Sequence, residues 1–395
     1  MVKKFYRYVY IIMLAGYIFD LSTNFSGIGS IIKYVFSFLL LTSLIGRKIN
    51  LKNYYPILSI SIPFFLIPLI LILAEKYILN VRGVFIHSIS FLLFIFLTIS
   101  IIEFFPNILE FCRVTNYGVL ISLLINVVIS NELSLNIYQM LINMIENTRT
   151  NRAYLGFTNP NVAGLIATIG LVIIVIKFFH YSFKIADIVC FFFYMLVIIN
   201  SGSRTALLSP IIGGLVLILL SIYHKIPPRL SIVIICFTGT LTLLFIYYKL
   251  TSSGIGFDYY SLNKLTSSRL ERQRSTINYL IMNGYILWGV GNLNSSALYS
   301  TYLGTFLDTD NSPIYFITTI GIVGLTQVIA ILAWFFSRIG WSNRTAIFCF
   351  VTMISSSLFE HTLLVSTSLF SLFFLCVIFI SIKEESNINK EYSVI

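Results

Sequence analysis

The chain has 395 residues, 57% apolar and only 10% charged, with a formal net charge of +11 and a mean hydropathy of +0.92. A soluble domain carries about 25% charged residues, and no soluble fold hides this much apolar surface. The composition excludes a cytosolic enzyme, a secreted disulfide scaffold and a disordered chain, and leaves an all-α, polytopic membrane helical bundle.

Membrane-spanning helices need about 20 mainly apolar residues. The basic start, Met1-Val-Lys-Lys-Phe-Tyr-Arg7, leads into an apolar run that imitates a signal peptide. No small-residue cleavage site follows and further spans come at once, so it reads as a retained first helix. Twelve spans are predicted, at 8–20, 28–46, 56–74, 84–102, 114–130, 160–177, 185–200, 206–223, 230–248, 313–334, 345–359 and 362–382. They form one membrane domain over 1–395 with no soluble domain and no sequence repeat. With the N-terminus inside, fifteen of the 26 Lys and Arg fall in cytoplasmic segments, which supports cytoplasmic N- and C-termini. Two long outer loops result, about 131–159 and the 64-residue segment 249–312. Loops of that length in a bundle are usually functional, so the chemistry is expected on the extracytoplasmic face.

The positive charge reads first as orienting residues in short loops, not as a nucleic-acid surface. The five cysteines (Cys112, Cys190, Cys236, Cys349, Cys376) form no C-x-x-C pair and read as small core residues. The four histidines have no i, i+4 partner. No P-loop, Rossmann fingerprint, H-E-x-x-H or G-x-S-x-G occurs.

Several arginines stand where the positive-inside bias disfavours them: Arg149, Arg152, Arg204, Arg269, Arg272 and Arg274. A guanidinium is permanently charged and binds phosphate bidentately, so a lipid pyrophosphate at the outer surface would explain them. The bland readings are loop solubility for Arg149 and Arg152, and snorkelling for Arg204 in the short connection Asn200-Ser-Gly-Ser-Arg204. For Ser267-Ser-Arg-Leu-Glu-Arg-Gln-Arg-Ser275 it is a basic helix on anionic lipid. After it comes Trp288-Gly-Val-Gly-Asn292, an apolar turn able to dip into the interface. Asp308-Thr-Asp310 has the D-x-D spacing that can share a hard cation, a weak signal beside ordinary loop carboxylates. Glu360-His361 lies between apolar runs, where the carboxylate is a general-base candidate or a polar turn residue.

Together these features resemble the O-antigen polymerase and O-antigen ligase superfamily of bacterial membrane glycosyltransferases. The resemblance rests on four stretches: Asn159-Pro-Asn161 followed by Val-Ala-Gly; Ser203-Arg204-Thr-Ala; the arginine-rich start near Arg269 running to Leu287-Trp-Gly-Val-Gly291; and Asp310-Asn311, nine residues, then Gly321-Ile-Val-Gly324. The ligase pattern has His where this chain has Asp310, which favours polymerase over ligase.

The resemblance implies a GT-C-like helical fold and undecaprenyl-pyrophosphate-linked oligosaccharides as substrates, polymerised into O-antigen, capsule or exopolysaccharide. No nucleotide or other cofactor is implied, because the donor is already an activated glycosyl pyrophosphate. Arg204, Arg269, Arg272 and Arg274 suit the departing pyrophosphate, and Asp310 or Glu360 suits the acceptor hydroxyl. Implied partners are the lipid bilayer, a flippase and a chain-length regulator. The competing expectations are a flippase or polysaccharide transporter, which would place its arginines in a central cavity, and a non-enzymatic scaffold.

Overall fold

A computed structural model describes residues 2–45, 49, 54–73, 81–146, 152–223, 269–291, 307, 311–365 and 368–392. Among these residues the chain forms thirteen α-helices and no β-strand. They are α1 (Val2–Asp20), α2 (Ser26–Leu41), α3 (Tyr55–Leu73), α4 (Val81–Phe104), α5 (Ile108–Ser130), α6 (Ile137–Glu146), α7 (Pro160–Phe179), α8 (Ile185–Ser201), α9 (Arg204–Tyr223), α10 (Arg269–Met282), α11 (Ser312–Ser337), α12 (Arg344–Ser357) and α13 (Leu369–Tyr392). Four segments, Ser26–Leu44, Ile108–Ser130, Pro160–Phe179 and Ser312–Ser337, are long and apolar enough to cross a membrane. By length and composition these are the helices of a membrane protein.

The expected span 230–248 lies outside the described residues. Two helices occupy stretches expected to be loops: α6 within 131–159 and α10 within 249–312. The last expected span, 362–382, starts late, at Leu369. Residues 358–365 instead make an irregular turn whose backbone groups are satisfied by side chains. Ser312 Oγ accepts from the N–H of Thr362 (3.2 Å) and of Leu363 (3.0 Å), and donates to the Glu360 carbonyl (3.3 Å). Ser371 Oγ donates to the Thr362 carbonyl and accepts from the Val365 N–H. Leu364 adopts φ 55° there, outside the helical region.

Hydrogen bonds sort the helix termini into two ends. At one, Arg7 at the start of α1 pairs with Glu110 at the start of α5. Lys177 pairs with Asp187 at 2.5 Å, and Lys383 with Glu103 at 3.0 Å. Asn343, which caps α12, bonds Glu385 at 3.0 Å. At the other end, Thr23 N–H donates to the Gly156 carbonyl (2.9 Å) and Leu155 N–H to Glu132. There too, Ala153 N–H donates to the Asn200 carbonyl (3.0 Å). Between the ends the core is dense and aromatic: Tyr10, Phe105, Phe111, Phe373 and Phe374 are fully buried.

The α1–α2 hairpin is closely packed. A Cβ at Gly29 would lie 2.1 Å from Asp20 N, so only glycine permits the approach. Lys33, 4% exposed, donates to Asp20, which also accepts from Ser30. The ammonium lies 5.5 Å from the Tyr17 ring centroid and 4.7 Å from that of Tyr34.

Helix α11 is broken. Gly321 has φ 68° and ψ −176°, a conformation essentially restricted to glycine. The ladder groups freed there bond the segment after α10: Val290 N–H donates to Thr318 O (2.7 Å) and Gly291 N–H to Thr319 O (3.0 Å). In return Ile322 N–H donates to Ile286 O (3.0 Å) and Val323 N–H to Leu287 O (3.2 Å). The two glycine motifs of the sequence, Leu287-Trp-Gly-Val-Gly291 and Gly321-Ile-Val-Gly324, thus dock onto each other backbone to backbone.

Candidate functional site

The site lies at the end where α7, α8, α9, α10, α11 and the 358–365 turn meet. Asn159 caps α7, accepting from Asn161 N–H at 2.9 Å, with Pro160 at the first helical position. This sets Asn161 in the opening turn of α7. Helix α8 ends at Gly202 with φ 60°. Arg152 lies across that glycine: a Cβ there would stand 3.1 Å from Arg152 Cγ and Nε. Arg152 Nε donates to the Ser201 carbonyl (2.8 Å), one of the acceptors a helix leaves open at its C-terminus.

The network then runs outward with a fixed polarity. Arg152 Nη2 donates to Asn161 Oδ1. A guanidinium can only donate, so the amide must turn its Nδ2 the other way, and that nitrogen donates to Glu360 Oε1 at 2.8 Å. Arg269 Nη2 reaches the same oxygen at 3.1 Å, and Arg269 Nη1 donates to the Phe359 carbonyl at 2.5 Å. The side chains of Arg269 and Glu360 are 24% and 14% exposed, sheltered yet open to a solute. Four side chains from three stretches of the chain thus meet in one line, Arg152–Asn161–Glu360–Arg269.

Of the residues expected from sequence, Arg269 and Glu360 are brought together. Arg204 sits in the same α8–α9 turn as Gly202, but its Nε donates to the Met144 carbonyl of α6 at 3.0 Å. Its Nη2 is buried with no hydrogen-bond partner among the described residues. Arg272 is half-buried one turn along α10 from Arg269, and Arg274 is exposed. Asp310, with Asp308 and Arg149, lies outside the described residues. Asn311, beside Asp310 in the motif, caps α11 by accepting from Ile314 N–H at 2.9 Å. The His361 ring packs on Tyr315, with centroids 3.6 Å apart.

Sequence reasoning named Arg152 only among six arginines opposing the charge bias and Asn161 only within a motif, and gave neither a role of its own. Arg152 carried the same anomaly as Arg204, a cation opposing the charge bias. Asn161 stood in a motif but looked like part of a helix start. Chemically, the arrangement offers guanidinium groups to an anion and holds one carboxylate between two donors. No known family model matches this sequence, and neither does any curated protein.

Proposed function

We propose that the chain is a membrane glycosyltransferase that polymerises undecaprenyl-pyrophosphate-linked oligosaccharides at the outer face of the plasma membrane. In this reading it is a GT-C-like bundle of about twelve spans with both termini cytoplasmic. The observation that carries the proposal is the Arg152–Asn161–Glu360–Arg269 line. It gathers an arginine-rich stretch, the Asn159-Pro-Asn161 motif and a carboxylate at one end of the bundle.

In the reaction the acceptor sugar's hydroxyl oxygen bonds to the anomeric carbon of the donor, and the bond from that carbon to the pyrophosphate oxygen breaks. The hydroxyl proton passes to a carboxylate, and the lipid pyrophosphate leaves with the bonding electron pair. Arg269 takes the departing charge, with Arg272 and Arg274 nearby along α10 and Arg204 at the α8–α9 turn, because phosphate oxygens fit the guanidinium bidentately. A pyrophosphate that draws Arg269 from Glu360 leaves that carboxylate to accept the acceptor's proton, with Asn161 holding it in place. Asp310 is the alternative base.

The test is the purified protein in lipid with undecaprenyl-pyrophosphate oligosaccharides and no nucleotide or metal. Chain lengthening is expected. Movement of the lipid-linked units across vesicles without joining them would instead establish a transporter.

A further inference from the structure

Helix α10 changes character along its axis. Its first half, Arg269-Leu-Glu-Arg-Gln-Arg-Ser275, holds four charges; its second half, Thr276-Ile-Asn-Tyr-Leu-Ile-Met282, holds none. A helix lying on a membrane surface separates its polar and apolar residues onto opposite faces. A helix whose charge ends halfway along suits an axis that descends from the surface.

The far end of α10 is fixed at depth by α11. Gly321 lies nine residues beyond Ser312, about 13 Å along a helix rising 1.5 Å per residue. Ser312 is level with Glu360, to which it bonds, and so with Arg269. The segment docked at the break, 286–291, therefore sits roughly a third of the way down α11, whose 26 residues span about 39 Å. Backbone outside a helix survives at such depth only where protein satisfies it, and the four reciprocal bonds pair the 286 and 287 carbonyls and the 290 and 291 N–H groups.

One side of this hairpin is buried. Leu280, Val290 and Leu307 form a small core of their own, with Ile317 of α11 packed on it. The other side shows Ile281, Met282 (84% exposed), Leu287 and Trp288 within eight residues. That surface lies on the same helix pair as the exposed Ile322, Ile329 and Trp334 of α11, a 26-residue apolar helix.

We infer that Arg269–Gly291 is a re-entrant membrane hairpin whose tip, Ile281, Met282, Leu287 and Trp288, contacts the hydrocarbon chains of the bilayer. The occupant of this surface is lipid, and the inference stands apart from the proposed reaction.

Full-length protein carrying Trp334→Phe and Trp341→Phe keeps Trp288 as its one tryptophan. It is reconstituted in phosphatidylcholine vesicles brominated midway along the acyl chains, with unbrominated vesicles as reference. Trp288 emission should fall by about half or more in brominated lipid and resist aqueous iodide, as hydrocarbon contact requires. Quenching by iodide without quenching by bromine would overturn the inference. In a second arm, Ser275→Cys and Met282→Cys are exposed to a membrane-impermeant maleimide, with labelling of the native chain subtracted. Position 275 should label at least about tenfold faster, since bilayer hydrocarbon excludes the reagent; equal rates would overturn the inference as well.

Discussion

Replacing Gly321 with Ala tests the docked break in α11 directly. The alanine Cβ would stand 2.1 Å from Leu287 O, 2.3 Å from Leu287 C and 2.4 Å from Trp288 N. These are backbone atoms, so no side-chain rotation relieves the clash. The φ 68°, ψ −176° conformation itself costs a non-glycine residue about 1–3 kcal/mol. Pushing the hairpin away breaks at least the two bonds beside the clash, Ile322 to Ile286 and Val323 to Leu287. At about 0.5–1.5 kcal/mol each, those add about 1–3 kcal/mol, more if the groups stay buried and unpaired. The total of about 2–6 kcal/mol is a large part of an ordinary stability of about 5–15 kcal/mol. Gly214 supplies the control: a Cβ there meets nothing within 4 Å. In a helix interior Ala is better than Gly by about 0.5–1 kcal/mol, so Gly214→Ala should match or exceed the native protein. Thermal unfolding in one detergent, followed by tryptophan emission, measures both. Gly321→Ala should melt several degrees lower; indistinguishable melting of the two variants would refute the docking.

Asn161→Asp keeps the acceptor for Arg152 but sets a second carboxylate against Glu360. Polymer synthesis should fall at least about tenfold at neutral pH, the loss of one charge-assisted hydrogen bond. It should recover partly on acidification, when the two carboxylates share a proton; a pH profile parallel to wild type would contradict the relay. Arg204→Ala and Arg269→Ala should each abolish synthesis, and Lys should not fully restore it, because the bidentate fork is lost. Normal polymer from either well-expressed Ala variant removes that residue from the site. Lys177→Met strands Asp187, whose side chain is 5% exposed. That costs up to about 3–5 kcal/mol, most of it recovered on adding Asp187→Asn. Equal melting temperatures of the single and double variants would show that the unpaired carboxylate carries no cost.

The apolar runs made most helices legible, because a run of about 20 apolar residues has few alternatives. Helices α7 and α8 begin where expected, one at Pro160 behind the Asn159 cap. What composition hides is a helix too short or too polar to span. Helix α6 has ten residues, and half of α10 is charged, so both read as loop. The opposite error befell 362–365, apolar enough to open a span yet held in a turn by Ser312 and Ser371. In the site, Glu360 and Arg269 were visible as polar residues in unusual places. Their partnership was not, since they stand 91 positions apart, and Asn161 stands 199 from Glu360. The G-x-x-G spacing was noticed as a pattern; its physical meaning, a glycine-only break receiving another segment, required coordinates.

The Lys33–Asp20 pair has a consequence for biogenesis. A lone lysine at the centre of a helix raises its insertion free energy by about 2.5–3.5 kcal/mol. Lys33, near the middle of α2, meets its counter-ion only when α1 is already alongside, since Asp20 is the last residue of α1. The close approach at Gly29 lets the two helices leave the translocon as one antiparallel unit. We expect α2, expressed behind a foreign leader without α1, to be retained less efficiently in the membrane than the intact hairpin, and Lys33→Leu to remove that dependence. The opening forty residues then act as a self-neutralising insertion cassette, made before any residue of the distal site has been translated.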